Sequence, residues 1–150
     1  MSQKITPCLW FDTNAEEAVN YYISVFPHSK ILDIQYYPTE GLLDFQEPMA
    51  GKVLTIDFEL RGQRFTCVNG GPDFKFSEAI SFVIDCKDQD EIDYYWERLS
   101  KVPELEQCGW CKDQFGLSWQ VVPENMGELM QRPNAYSNMM QMHKLVIADF

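Results

Sequence analysis

The decapeptide QCGWCKDQFG, residues 107–116, contains Cys108 and Cys111 separated by two residues, a spacing found in redox-active dithiols and in half of many zinc sites. A reactive dithiol usually has its first cysteine at a helix N-terminus, where the dipole lowers the thiol pKa. Here the segment leads into a turn at 114–116 and then LSWQVV, which is typical of one arm of a β-hairpin. Residues three apart on a strand lie about 10 Å apart on opposite faces, beyond the Cα separation of about 7 Å that a disulfide allows. We therefore expect no pairing unless the chain bends sharply at Gly109, and Cys111 is expected to act as a small hydrophobe.

Two carboxylates in KVLTIDFEL, Asp57 and Glu59, alternate with apolar residues, as on a half-buried strand. A carboxylate that points into an apolar cup can have its pKa raised enough to act as a general base. If the same side chains point outward, they are merely solvated. The sequence leaves both alternatives open for Asp57 and Glu59.

Composition and charge limit the classes of partner. The formal charge of −11 and the scattered Lys and Arg residues leave no basic stripe for phosphates, which argues against nucleic acid and anionic membranes. The segment MSQKITPCLWFD leads directly into a predicted strand and does not resemble a basic region followed by an apolar run. No apolar run in the sequence is long enough to span a bilayer. A cytoplasmic location follows as an expectation. The odd set of cysteines without framework spacing is interpreted as mostly buried thiols: Cys8, Cys67, Cys86, Cys108 and Cys111.

The elements that must position these residues are duplicated. Shifting the chain by 73 residues aligns WFDTNAEEAVNYYISVF (10–26) with VIDCKDQDEIDYYWERL (83–99) without a gap. Each copy predicts a strand, a polar turn and a helix, with proline after each helix as a stop signal. The expected buried stripes are Ala18, Tyr21, Tyr22 and Val25 in the first helix, and Ile92, Tyr95, Trp96 and Leu99 in the second.

Strands follow each predicted helix. KILDIQYY, KVLTIDFEL and QRFTCV complete a βαβββ module in the first half, and shorter pieces at about 104–107, 109–113 and LSWQVV do so in the second. The last strands also align, GQRFTCV (62–68) with GLSWQVV (116–122). The chain is therefore predicted to be one α+β domain over 1–150. Its parts are a first module at about 4–71, a second at about 78–123 and a helical tail at 124–150.

The tail predicts one short helix and, after Pro133-Asn134, a longer one. Met139, Met142 and Leu145 or Val146 line one side of the longer helix. Ordinary packing on this chain is one interpretation of that stripe, and contact with a partner subunit is the other.

A duplicated βαβββ module of this length resembles the vicinal oxygen chelate superfamily, which includes glyoxalases, bleomycin-resistance proteins and extradiol dioxygenases, over residues 4–123. LWFDTNAEEAVNYYISVFPHSKI, NGGPDFKFSEAISFVIDC and CGWCKDQFGLSWQVVP are similar to its PhnB-like branch, often described as demethylubiquinone methyltransferase-like. The resemblance implies the glyoxalase/bleomycin-resistance-type half-barrel fold with eight strands, a cup in each half-barrel or one shared across a dimer, and a homodimer. The specific signals are Asn69, Gly70, Gly71, Pro72, Phe74, Phe76, Gly109, Trp110, Gly116, Ser118, Trp119 and Gln120.

Enzymes of this superfamily hold a divalent metal with four His or Glu side chains on the first and last strand of each module. The resemblance and strand parity together place those positions at Thr6, Thr66, Ala79 and Gln120, none of which is a good metal ligand. The only histidines, His28 and His143, are expected at the surface, and the cysteine pair has no second pair or nearby histidine to complete a zinc site. We therefore expect no metal and no cofactor. A Rossmann-type methyltransferase would also need a glycine-rich turn between strand and helix, which the sequence lacks.

Strand parity predicts that Phe65 and Trp119 lie under the helices, so their neighbours face the cup. An apolar cup with a few placed polar groups suits a small molecule, with Arg64 and Gln120 the better candidates to orient a carboxylate or phosphonate-like ligand. In NGGPDFKF, Phe74 and Phe76 either fill the gap between modules or form a lip over the cup. The predicted ligand-binding residues are Thr6, Cys8, Trp10, Arg64, Thr66, Ser81, Ser118 and Gln120, with Asp57 and Glu59 as catalytic candidates.

Three functions remain open at this point. The first is a metal-free protein that binds a small, as yet unknown molecule. The second is a metal-independent isomerase or lyase that uses a carboxylate base, and the third is an interaction protein whose cup is vestigial.

Overall fold

A four-stranded sheet with one helix makes up the first half of the chain in the computed structural model, which describes residues 3–150. The sheet order is β1-β4-β3-β2, with β1 parallel to β4 and the other neighbours antiparallel. A 3-10 helix at Asp44–Met49 lies between β2 and β3, and this unit ends at Lys75. The elements are β1 (Cys8–Phe11), α1 (Ala15–Val25), β2 (Lys30–Tyr36), β3 (Val53–Leu60) and β4 (Gln63–Asn69).

Alternation along the strands and the stripe on α1 create the core of this unit. Every second side chain of β3 and β4 is buried, as expected when one sheet face is covered. The helix buries Ala18, Tyr22 and Val25, whereas Tyr21 is only half-buried. The buried residues of the sheet are Leu9, Phe11, Ile56, Phe58, Leu60, Phe65, Cys67 and Asn69.

The second unit, Phe76–Phe150, repeats the plan with a smaller sheet. Its order is β5-β7-β6, with β5 parallel to β7 and β6 antiparallel to it. The helix α2 is capped by Asp88, whose carboxylate accepts a hydrogen bond from the Glu91 backbone N–H at 2.9 Å. It buries Ile92, Tyr95 and Leu99, whereas Trp96 is half-buried. The elements are β5 (Ser81–Cys86), α2 (Gln89–Leu99), β6 (Trp110–Lys112), β7 (Ser118–Pro123), α3 (Met126–Leu129) and α4 (Ala135–Met139).

The prediction of eight strands is wrong by one. Residues 3–150 contain seven strands, and the segment expected to form a strand at about 104–107 begins with a 3-10 turn at Pro103–Leu105. Pro103 lacks the backbone N–H that a ladder needs, and its fixed φ suits the first position of a helical turn. Gln107 alone retains a bridge, to Trp110. The α+β class, the tandem arrangement and the C-terminal helices are confirmed.

The tail forms a small core of its own within the second unit. Leu129, Ala135, Leu145 and Phe150 are buried together, and Met139 and Met142 pack against them. Ordinary packing on this chain therefore accounts for the methionine stripe. The second tail helix is short, Ala135–Met139, so the expected longer helix is wrong. None of the described helices is long and apolar enough to cross a membrane.

Candidate functional site

The sheet face of the first unit that lies away from α1, here called the first open face, carries most of the predicted first-module site. Register pairs Cys8 with Thr66, Asp57 with Thr66, and Glu59 with Arg64, and paired residues share a face. The carboxylates of Asp57 and Glu59 therefore lie on the open face, which the sequence had left undecided. Thr6 precedes β1 and is half-buried.

Charges on this face pair with one another. Arg64 Nη2 lies 3.4 Å from Asp57 Oδ2, with the two side chains 48% and 31% exposed. A pair this exposed contributes about 0–1 kcal/mol to stability. Arg64 thus already has a carboxylate partner on the neighbouring strand, and Asp57 already has a cation beside it.

Cys8 belongs to the same face and remains a thiol. Desolvation of its sulfur, followed by the negative charge of Asp57, raises the pKa of Cys8, although the residue as a whole is exposed. A raised thiol pKa lowers the thiolate fraction at neutral pH. Cys8 is therefore not arranged as a nucleophile.

Trp10 is held on the first open face by the NGG stretch. Its indole N–H donates to the Gly71 carbonyl at 2.9 Å, and its ring lies so close to Gly70 that a Cβ there would come within 2.3 Å of it. Phe74 contacts the indole edge-on, with ring centroids 4.8 Å apart, and is 64% exposed. Gly70 is thus required for a close approach, and Phe74 extends the aromatic surface of Trp10.

Asn69 ties three segments of the first unit together, a role that the sequence did not predict. Its side-chain oxygen accepts from the Ala15 backbone N–H at 2.9 Å and so caps α1, and its amide donates to the Val53 carbonyl at 3.1 Å. Its own carbonyl accepts from the Tyr37 hydroxyl at 2.6 Å. Asn69 therefore fixes the C-terminal end of β4, from which the chain continues into Gly70 and Gly71.

The sheet face of the second unit that lies away from α2 is here called the second open face. It brings together three predicted site residues. Ser81 pairs with Ser118 in register, and the Gln120 amide donates to Ser81 Oγ at 2.9 Å. Trp110 is opposite Gln120, and Lys112 is opposite Ser118. The arrangement joins Ser81, Ser118 and Gln120 on one surface and adds Trp110 and Lys112, which the prediction had not included.

A cleft of about 320 Å³ opens on this surface. Lys112, whose side chain is only 18% exposed, forms an ion pair there with Glu78. That hydrogen bond and the charge of Lys112 lower the pKa of Glu78. Ser118 is 1% exposed, and its hydroxyl has no hydrogen-bond partner among residues 3–150. The lining residues are Glu78, Leu105, Gln107, Cys108, Trp110, Cys111, Lys112 and Ser118.

Both cysteines of the CxxC stretch line this cleft, in a geometry that differs from the extended strand predicted. Cys108 and Gly109 both have positive φ, 37° and 92°, and Gln107 and Trp110 exchange two backbone hydrogen bonds. These features define a two-residue hairpin turn, so the chain does bend at Gly109. The thiols are nevertheless free, and burial raises the pKa of Cys111 to about 12, with smaller contributions from Asp113 and Glu106.

The DQFGLSW stretch closes the end of β6 and β7 around a buried carboxylate. Asp113 is 1% exposed and accepts hydrogen bonds from the backbone N–H groups of Phe115 and Leu117 at 2.8 and 3.1 Å. Its second oxygen accepts from the Trp119 indole at 2.8 Å. Asp113 thus orients the strand that carries Ser118 and Gln120.

The metal-ligand positions implied by the resemblance do not fit a metal. Thr6, Thr66, Ala79 and Gln120 supply no imidazole or carboxylate, and within residues 3–150 no group of three or more His, Cys, Asp or Glu side chains could hold an ion. His28 and His143 are both exposed, as predicted.

Comparison with known proteins identifies what this arrangement is similar to. Residues 3–122 match the family described as 3-demethylubiquinone-9 3-methyltransferase. A putative 3-demethylubiquinone-9 3-methyltransferase, the PhnB protein from Bacillus cereus, is 33% identical, with a TM-score of 0.64 over 80% of this chain and 99% of its own.

More distant structures share the fold. A protein from Pseudomonas aeruginosa is 16% identical with a TM-score of 0.58, over 81% of this chain and 98% of its own. A gene product from Arabidopsis thaliana is 18% identical with a TM-score of 0.50, over 81% and 98%. A search of curated protein sequences finds no match.

Proposed function

The chain belongs to the 3-demethylubiquinone-9 3-methyltransferase family, in its PhnB-like branch with the glyoxalase-type fold, and from that premise we propose that it binds a small molecule without a metal. The observation that supports this proposal is the cleft on the second open face. It combines apolar walls from Leu105 and Trp110 with the buried, unpartnered hydroxyl of Ser118. Small-molecule sites are typically clefts of this size with few, well-placed polar groups.

The methyl transfer named in the family description is not part of the proposal. A Rossmann-type site for the methyl donor places its phosphate- or cofactor-binding turn, rich in glycine, between a strand and the next helix. Here the turns from β1 to α1 and from β5 to α2 are Asp12-Thr13-Asn14 and Lys87-Asp88, without glycine. The residues present do not fit that cofactor, and no step is assigned to it.

A ligand screen tests the proposal. Small acids, aldehydes, quinones and their neutral analogues are added to the purified protein, and the shift in melting temperature is measured. Leu105→Trp fills the cleft and should abolish any shift, whereas Leu32→Trp, at a similarly exposed position on β2, should leave it unchanged. Absence of any ligand-dependent shift would favour an interaction protein with a vestigial cup.

Elemental analysis tests the metal-free part separately. Purified protein is expected to contain less than one Zn, Ni, Mn or Fe per chain, because the ligand-equivalent positions carry Thr, Ala and Gln. One tightly held metal ion per chain would contradict the proposal.

The enzyme alternative rests on the carboxylates of the first open face. Turnover of a bound compound that is lost in Asp57→Ala or Glu59→Ala would support an isomerase or lyase. Asp57 is already paired with Arg64, so both variants are needed to tell which carboxylate acts.

The homodimer and the cytoplasmic location are also proposals, based on the family resemblance and on the sequence. Sedimentation that gives a monomer at every concentration would remove the dimer. Fractionation of cells followed by detection of the chain tests the location.

A further inference from the structure

Lys112 is held in place by the second sheet, whereas its partner is not. Its backbone carbonyl accepts from the Lys101 N–H at 2.9 Å, and register places it opposite Ser118. Glu78 lies before β5, outside any strand or helix, and its side chain is 59% exposed. Returning such an exposed carboxylate to water costs little, since exposed ion pairs contribute little to stability. Lys112 is therefore a largely buried cation on a backbone fixed by the sheet, and its counter-ion can exchange.

Ser118 supplies a second donor at the same place. Because Lys112 and Ser118 are directly opposed on neighbouring strands, their side chains project from the same face. A buried hydroxyl without a partner is unfavourable, and a hydrogen bond to a ligand oxygen would remove that cost. Ammonium and hydroxyl together match the two oxygens of one carboxylate.

The other residues of the cleft determine what kind of group can form the rest of the ligand. Leu105 and Trp110 contribute apolar surface, and the Gln107 amide is already engaged with the Met140 carbonyl at 3.2 Å. Salt screens exposed charges beyond about 8–10 Å, so the distant part of the chain's charge of −11 opposes a bound anion weakly, whereas Asp113 and Glu106 act on Cys111 in the cleft.

We propose, building on the proposed function, that this cleft binds small organic carboxylates with an apolar body by exchange: the ligand carboxylate replaces Glu78 on Lys112 and accepts a hydrogen bond from Ser118. The apolar body lies against Trp110 and Leu105. Glu78 is then a competitor built into the chain, and it keeps Lys112 paired when no acid is bound.

Calorimetric titration with phenylacetate and its neutral isostere phenylacetamide tests the exchange. The wild-type chain should bind the acid about tenfold more tightly than the amide. Lys112→Met should remove that preference by weakening the acid about tenfold, and Ser118→Ala should weaken it several-fold. Glu78→Gln should strengthen acid binding about threefold and leave the amide unchanged, because it removes the competing carboxylate.

A matched ion pair outside the cleft provides the control. Lys144 Nζ lies 2.8 Å from Asp93 Oδ1, and Asp93→Asn removes a carboxylate of similar exposure. This variant should bind both probes like the wild-type chain, and thermal unfolding checks that every variant is folded.

The outcomes separate the two proposals. The exchange is overturned if Glu78→Gln weakens acid binding or leaves it unchanged. Equal affinity of the wild-type chain for acid and amide overturns it as well. In both cases the proposed small-molecule site stands. Failure of both probes to bind overturns the carboxylate specificity, and failure of the whole ligand screen overturns the proposed function as well.

Discussion

The two units carry equivalent strands whose charges are arranged in opposite ways. Aligning 62–68 with 116–122 places Arg64 at the position of Ser118. The residues opposite them on the neighbouring strands are Glu59 and Lys112. The first unit thus has its cation on the last strand with acids beside it, whereas the second has its cation on the preceding strand beside a neutral hydroxyl.

This reversal determines which face can take a charged ligand. In the first unit Arg64 pairs with Asp57, and the sheet itself keeps both in position. In the second unit the sheet fixes Lys112 only, and its carboxylate partner comes from outside the strands. The two units therefore share a strand–helix plan, while their open faces differ, one with internal pairing and the other with the proposed exchange.

The turns that precede the last strands differ in the residues that hold them. In the first unit Arg61 and Gly62, both with positive φ, make the turn. In the second unit Asp113 makes it, with its buried carboxylate. Asp113→Ala should lower the free energy of unfolding by about 3–5 kcal/mol, because two backbone N–H groups and the Trp119 indole lose their acceptor. Urea unfolding measures the loss.

Asp113→Asn is the matched control for this turn. It keeps one acceptor oxygen but turns an amide donor towards either the indole or the loop N–H groups, so an intermediate loss of about 1–3 kcal/mol is expected. A loss below about 1 kcal/mol in Asp113→Ala would show that the carboxylate does not organise the turn.

The helix caps differ in origin. Asn69 caps α1 from the end of β4, whereas Asp88 caps α2 locally. Asn69→Ala should cost about 2–3 kcal/mol, because the Val53 carbonyl also loses its donor, and Asp88→Ala about 1 kcal/mol. Equal losses by chemical denaturation would contradict the tertiary role of Asn69.

The ion pair of the first open face is expected to matter little for stability. Asp57→Asn and Arg64→Gln, made singly and together, should give a coupling energy of about 0–1 kcal/mol in a double-mutant cycle. A larger value would mean that this face is less solvated than the exposure of its side chains indicates.

The smallest effect is expected at Glu78, and its pH dependence has a definite sign. Lys112 lowers the folded-state pKa of Glu78, so the contribution to stability is present above the unfolded value, about 4.3 for glutamate. It is lost as the pH falls through the lower folded pKa. The melting temperatures of wild-type and Glu78→Gln chains should therefore differ at pH 7 and converge towards pH 3. A constant difference would exclude the pair.

Strand parity placed Arg64, Thr66, Ser118 and Gln120 on the open faces correctly, because a strand's period of two is a local property. The hairpin turn at Cys108-Gly109 was missed, since a non-glycine residue at positive φ has weak sequence signals. Lys112 could have been predicted as a site residue, because it lies opposite the predicted site residue Ser118 on the neighbouring strand. The ion pair of Lys112 with Glu78 depends on tertiary structure.

The sequence by itself determined the duplicated α+β plan, the family and the faces on which side chains lie, because periodicity and repeated motifs are readable along the chain. Only the tertiary structure decided which polar groups meet. It engaged Arg64 with Asp57, buried the Asp113 carboxylate under three donors, and left the Ser118 hydroxyl beside Lys112 in a cleft. Those contacts join residues within seven positions of one another, but they depend on the register of neighbouring strands and on the turns between them, which exist only after the sheets have formed.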